Sequence, residues 1–133
     1  MKKILITGKG SYIGTNVRKY LEQYPNDYLV HELDMLDDSW KKHDFSQYDV
    51  VYHVAGIAHI KEVPENEMLY QRVNRDLAIE VAKIAKEAGI KQFIFMSSMS
   101  VYGLNYSKEA ITKETVCNPN TFYGISKYQA EKQ

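Results

Sequence analysis

The sequence predicts an α/β fold: a doubly wound parallel sheet covered by helices on both faces. Three observations predict it. Short apolar runs alternate with helical stretches along the chain, as a parallel sheet requires, because each crossover covers the strands it joins. The first apolar run leads directly into a glycine cluster, Gly8-Lys9-Gly10-Ser11-Tyr12-Ile13-Gly14. The 133 residues, 44% of them apolar, suit one domain with a single core.

The elements follow in order. Lys2–Thr7 is a short apolar run stopped by glycine, and so a buried strand. The spacing predicts a helix over Tyr12–Tyr24, with Ile13, Val17, Tyr20 and Leu21 on one face and Pro25-Asn26-Asp27 ending it. Tyr28–Asp34 is the second strand, Asp37–His43 a short helix and Asp49–Val54 a valine-rich third strand. Over Met68–Ala88, Val73, Leu77, Val81, Ile84, Ala85 and Ala88 form an apolar stripe, and Gly89 suits the position just past the helix end. Gln92–Ser97 is the fourth strand and Leu104–Thr121 a polar loop, and Phe122 opens a last helix. The chain stops about three turns into that helix without a capping residue. A doubly wound nucleotide-binding sheet normally continues with more strands. The expectation is therefore a sheet truncated after its fourth strand, with residues 1–133 as the N-terminal part of a dinucleotide-binding domain and the substrate lobe absent.

Composition narrows the function. Seventeen basic residues balance seventeen acidic ones, which leaves no electrostatic footprint for nucleic acid or an anionic membrane. Cys117 is the single cysteine, so no internal disulfide can form and a reducing cytosol is the expected location. The apolar run after Met1-Lys2-Lys3 is broken at Thr7-Gly8, too early for a signal peptide. No stretch reaches the ~20 apolar residues of a membrane span. His53 and His59 have no third ligand at helpful spacing, so no metal site is expected.

Two groups of residues carry chemistry. Gly8 and Gly14 bracket a strand-to-helix turn, where the backbone can approach a pyrophosphate and the helix N-terminus offers amides and a favourable dipole. Asp34, closing the second strand, can accept hydrogen bonds from an adenosine ribose and would repel a 2′-phosphate, whereas Lys9 in the glycine turn would favour one. The small residues Val54, Ala55 and Gly56 after the third strand leave room for a cofactor over the strand ends. Farther along, Tyr123 and Lys127 are four residues apart on one helix face. Free tyrosine ionises near pH ~10, and bringing it to neutrality takes about 4 kcal/mol of differential stabilisation, which a nearby ammonium helps to supply. Ser98 would hydrogen-bond the same substrate oxygen and orient it.

With these residues in place, the chain resembles the extended short-chain dehydrogenases/reductases, and among them the NAD-dependent epimerase/dehydratase family acting on nucleotide sugars. Thr7, Gly8 and Gly14 match the first, second and last positions of the family's Thr-Gly-x-x-Gly-x-x-Gly. The middle glycine falls on Ser11 with Gly10 one place early, so Gly10 is expected to absorb the backbone strain. His53-Val54-Ala55-Gly56 resembles the family's His-x-Ala-Ala/Gly, and His53 itself is expected to be packed. Asn74 matches the asparagine of Asn-x-x-x-Thr, with Ala78 in place of the threonine. Pro119 through Tyr123-Gly124-Ile125-Ser126-Lys127 resembles Pro-x-x-x-Tyr-Gly-x-Ser-Lys, and Phe95-Met96-Ser97-Ser98 before Val101-Tyr102-Gly103 resembles the strand with the catalytic Ser/Thr.

The resemblance implies a Rossmann-like sheet and a catalytic set of Ser98, Tyr123 and Lys127. It implies a cofactor site of Thr7, Gly8, Gly10, Ser11, Tyr12, Ile13, Gly14, Asp34, Val54, Ala55, Gly56, Asn74 and Lys127. NAD is the implied cofactor, with NADP as the alternative. A nucleotide sugar is the implied substrate, and a homodimer is one assembly open to the full-length protein. Family dehydratases carry Asp-Glu immediately after the catalytic Ser/Thr. Met99 and Ser100 stand there, so the expected reaction is C4 epimerisation through a 4-keto intermediate. A keto-sugar reductase and a non-catalytic dinucleotide sensor are the rivals.

Overall fold

The computed structural model describes residues 1–104 and 109–133, so residues 105–108 of the expected polar loop lie outside the described residues. Strand β1 (Lys2–Thr7) leads into helix α1 (Tyr12–Leu21), followed by β2 (Tyr28–Leu33) and β3 (Val50–His53). A helical stretch then runs as α2 (Glu67–Tyr70), a π-helical turn (Gln71–Asp76) and α3 (Leu77–Glu87). Strand β4 (Gln92–Phe95) and helix α4 (Phe122–Lys132) complete the order.

The residues group into two compact units. One contains Met1–Gly56 and Glu80–Met96, and the other Ile57–Ile79 and Ser97–Gln133. The first unit holds the whole sheet, all parallel, in the order β2-β1-β3-β4. The chain winds from β1 outward to β2, then returns to the other side of β1 for β3 and β4. Loops after β1 and β3 therefore meet at the reversal of strand order, where open α/β sheets bind ligands.

Alternation along β1 shows that both sheet faces are covered, because Ile4 and Ile6 on one face and Leu5 and Thr7 on the other are all buried. Ile4, Ile6 and Val50 pack with Val17 and Leu21 of α1 and with Val30 of β2. The expected face of the first helix is thus partly corrected: Val17 and Leu21 point inward, while Ile13 and Tyr20 are exposed. Gly14 is the buried residue of that helix, because α1 crosses β1 closely at its first turn.

Between β2 and β3 the sequence predicts one short helix. The structure has two 3-10 turns, Asp38–Lys42 and Phe45–Gln47, capped by Asp37 and Asp44. Each aspartate accepts the amide two residues on, and each turn buries one aromatic, Trp40 and Phe45. Gly89 closes α3 at φ +78°, as its position suggested. Among the described residues, no helix is long and apolar enough to cross a membrane.

The second unit is built around α4. Thr121 caps this helix by accepting from Gly124 N at 2.9 Å. A 3-10 turn, Met99–Tyr102, opens at Ser98 and ends at Gly103, which has φ +65°.

Candidate functional site

In the turn between β1 and α1 the left-handed conformations fall on Gly8 (φ +85°) and Gly10 (φ +81°). Ser11 is extended at φ −64° and ψ 151°, and its Oγ accepts from Gly14 N at 3.0 Å. The chain therefore has no need of glycine at position 11, because that residue is the helix N-cap. Gly14 itself has no room for a side chain: a Cβ there would lie 2.6 Å from Ser11 Oγ and 3.0 Å from Ile6 Cγ2. A Cβ on Gly8 would lie 3.1 Å from Ala55 Cα, so the turn rests directly on the backbone that follows β3. The first turn of α1 contains no acidic residue, and its dipole stays available to an anion. A glycine cradle, an uncompensated helix N-terminus and a floor of Val54-Ala55-Gly56 together fit a dinucleotide pyrophosphate.

Beneath the turn, Thr7 and His53 join the ends of β1 and β3. Thr7 Oγ1 and His53 Nδ1 share a buried hydrogen bond of 2.8 Å, and Ala55 N donates to the same hydroxyl at 3.4 Å. The His53 ring stacks on Phe93 and Phe95, each at 6.1 Å, which gives it the packed position expected.

The carboxylate that bonds to the glycine turn is Glu32, which the sequence reading missed. Its Oε1 accepts from Gly10 N at 3.3 Å and its Oε2 from Arg18 Nε at 2.7 Å. Arg18 also donates to both oxygens of Glu22, at 2.8 and 2.9 Å. These carboxylates, Glu22 first and then Glu32, hold the guanidinium above its ordinary range. The missed signal was period two: Tyr28 and Val30 face α1, so Glu32 does too. Asp34 lies just past the strand and accepts from Leu36 N at 2.9 Å.

The second unit contains Asn74, Ser98, Tyr123 and Lys127. Ser98 is extended and its Oγ accepts from Ser100 N at 3.1 Å, which leaves the hydroxyl proton for an outside acceptor. Helix α4 lies against that turn so closely that a Cβ on Gly124 would be 2.5 Å from Ser100 O. Tyr123, beside Gly124, is half-buried. Lys127 is only 4% exposed, and its Nζ is 6.0 Å from the centroid of the Tyr123 ring. Burial lowers its amine to a pKa of about 8.

Asn74 is fully buried on the π-helical turn. Its Oδ1 accepts from Ile57 N and its Nδ2 donates to Ile57 O, both at 2.8 Å. The same Nδ2 donates to Ser126 Oγ at 3.2 Å, and Ser126 donates to Tyr123 O at 2.8 Å. Ser126 thus links the asparagine to the turn that carries Tyr123.

Residues 4–133 match the model of the NAD dependent epimerase/dehydratase family. A UDP-glucose 4-epimerase from Vibrio cholerae is 35% identical over 151 residues, an alignment covering 99% of this chain and 46% of that protein. A UDP-glucose 4-epimerase from Mus musculus is 26% identical, over 77% of this chain and 39% of that protein. The chain thus spans about half the length, or less, of the curated relatives it matches. Among solved structures, a short-chain dehydrogenase/reductase superfamily protein from Agrobacterium tumefaciens with bound NAD superposes with a TM-score of 0.84 at 22% identity, covering 98% of this chain and 43% of that one. The UDP-Glc/GlcNAc 4-epimerase of Campylobacter jejuni gives 0.81 at 21%, covering 99% and 47%. At such identities these two show the fold, a Rossmann-like doubly wound sheet. With the family match running from β1 to the end of α4, the chain belongs to the NAD-dependent epimerase/dehydratase family.

Proposed function

We propose that this chain is the N-terminal part of a nucleotide-sugar C4 epimerase, carrying the cofactor turn and the proton-transfer residues, with the substrate lobe supplied by further sequence. The observation that carries the reading is the second unit: Ser98, Tyr123 and a buried Lys127 stand on two elements that touch at Gly124. Tyr123 takes the proton from the sugar hydroxyl and later returns one. Ser98 donates to the same oxygen and orients it. Lys127, cationic at neutral pH, favours the phenolate. NAD, when bound, supplies the hydride acceptor and donor. Thr7, Gly8, Gly10, Ser11, Tyr12, Ile13 and Gly14, with Val54, Ala55 and Gly56, are the residues that would hold its pyrophosphate side. Asp34 and Lys127 join the proposed cofactor set, and Asn74, fully buried, supports it through Ile57 and Ser126.

Met99 and Ser100 offer neither an acid nor a base beside Ser98, which speaks against water elimination. The 35% identity to a UDP-glucose 4-epimerase favours epimerisation over keto-sugar reduction. A cytosolic location and a homodimer of the longer protein belong to the same proposal. The test has two parts. NAD should raise the melting temperature of the 133-residue chain. In a longer protein carrying this segment, Tyr123→Phe should abolish interconversion of UDP-sugars and leave NAD binding nearly unchanged. Near-normal turnover in that variant would sink the mechanism, and net consumption of reduced cofactor would favour the reductase.

A further inference from the structure

A helix whose first turn holds a reacting side chain needs that turn held still. The first three amides of α4 belong to Phe122, Tyr123 and Gly124, and a helix leaves such amides without intrahelical partners. Thr121 serves only the third. The other two go to a side chain far away in sequence: Glu62 Oε2 accepts from Phe122 N at 2.8 Å, and Glu62 Oε1 accepts from Tyr123 N at 3.1 Å.

The segment that delivers Glu62 is itself fastened. Asn74 holds both backbone groups of Ile57. The Tyr70 hydroxyl donates to Ile60 O at 2.7 Å, and Asn66 Nδ2 donates to Lys61 O at 2.8 Å. Burial, and then the charge of Glu62, keep the Tyr70 phenol above its ordinary value, so it remains a donor. The Tyr70 ring also packs on Phe122, with centroids 6.2 Å apart. Residues 57–62 thus form a bracket, anchored on the helical stretch at one end and on the first turn of α4 at the other.

We propose that Glu62 is a positioning residue for Tyr123: its carboxylate clamps the two amides that lead into the phenol-bearing turn. The proposal rests on the assignment of Tyr123 to proton transfer. It is tested on the 133-residue chain by amide hydrogen exchange and by NMR with tyrosines labelled at Cζ, the Tyr123 signal being assigned with Tyr123→Phe. In Glu62→Ala, exchange at Phe122 and Tyr123 should quicken about tenfold while amides of β1 keep their wild-type rates, and the Tyr123 phenol signal should shift. Glu62→Gln keeps one accepting oxygen and should fall between the two. Unchanged exchange at Phe122 and Tyr123 would overturn the clamp. An equal rise at β1 would reduce it to general stability, and faster exchange with an unmoved phenol signal would reduce it to a helix cap. None of these readouts uses cofactor or substrate, so their failure is distinguishable from a failure of NAD to bind.

Discussion

Replacing Lys127 by methionine should stabilise the chain at neutral pH. The lysine stem is buried with its amine, and methionine fills a similar volume without a charge. Burial lowers the folded-state pKa from 10.5 to about 8. In the unfolded chain the amine keeps its proton up to about 10.5, while the folded chain releases it near 8. Between those values the unfolded state binds more protons, so stability rises with pH; below about 8 the folded state bears the whole cost. That cost is about 3 kcal/mol, or roughly 10 °C in melting temperature for a domain of this size. The assay is a series of thermal and urea melts of wild type and Lys127→Met from pH 7 to pH 10. The variant should be the more stable at pH 7, and the gap should close as pH rises. A constant gap across the range, or a variant less stable at pH 7, would refute the argument that desolvation dominates at this amine. The cost has a functional reading: a cation kept in a dry position beside a phenol acts more strongly on it than one in water.

Three other outcomes follow from the geometry. Gly124→Ala should lower the melting temperature by the equivalent of about 1–3 kcal/mol, because the new methyl meets the Ser100 carbonyl, which is backbone and must shift. Asn74→Ala should cost about 2–4 kcal/mol in urea melts, because it leaves both backbone groups of Ile57 without their partner, while Asn74→Asp should recover only the acceptor half. Asp49 accepts from Lys3 N at 2.9 Å and pairs with Lys91, which together hold its carboxyl below the ordinary 3.8. Its contribution is present above 3.8 and is lost as pH falls through the depressed value, so Asp49→Asn should flatten the acid limb of the stability profile.

The sheet was legible in the sequence because β1 and β3 are short apolar runs and turn residues bound each of the four strands. Helix α4 was legible from Phe122 on because Tyr123 and Lys127 stand four residues apart on one helix face, while its cap, Thr121, was counted with the loop. The long helix was harder. Its expected stripe ran through Val73, Leu77, Val81, Ile84, Ala85 and Ala88, whereas the residues fully buried are Tyr70, Asn74, Ala78, Val81 and Ala85. Apolarity alone does not reveal a stripe that includes an asparagine, and Asn74 is buried only because the Ile57 backbone satisfies its amide. The π-helical turn around Asn74 also breaks the 3.6-residue period on which the reading relied. Glu32 and Glu62 escaped for another reason: each bonds backbone amides remote in sequence, and such a partner has no local signature.

The cap at Ser11 bears on which residues this family position tolerates. Where a left-handed turn falls on the middle glycine position, only glycine serves there. Here that demand has moved to Gly10, and position 11 asks instead for a short side chain that can accept a hydrogen bond from an amide three residues on. Threonine, aspartate or asparagine would meet that demand, and glycine would lose the cap. A search that requires glycine at position 11 would pass over chains built this way. One that weighs a capping residue at 11 together with glycine at 8, 10 and 14 would find them.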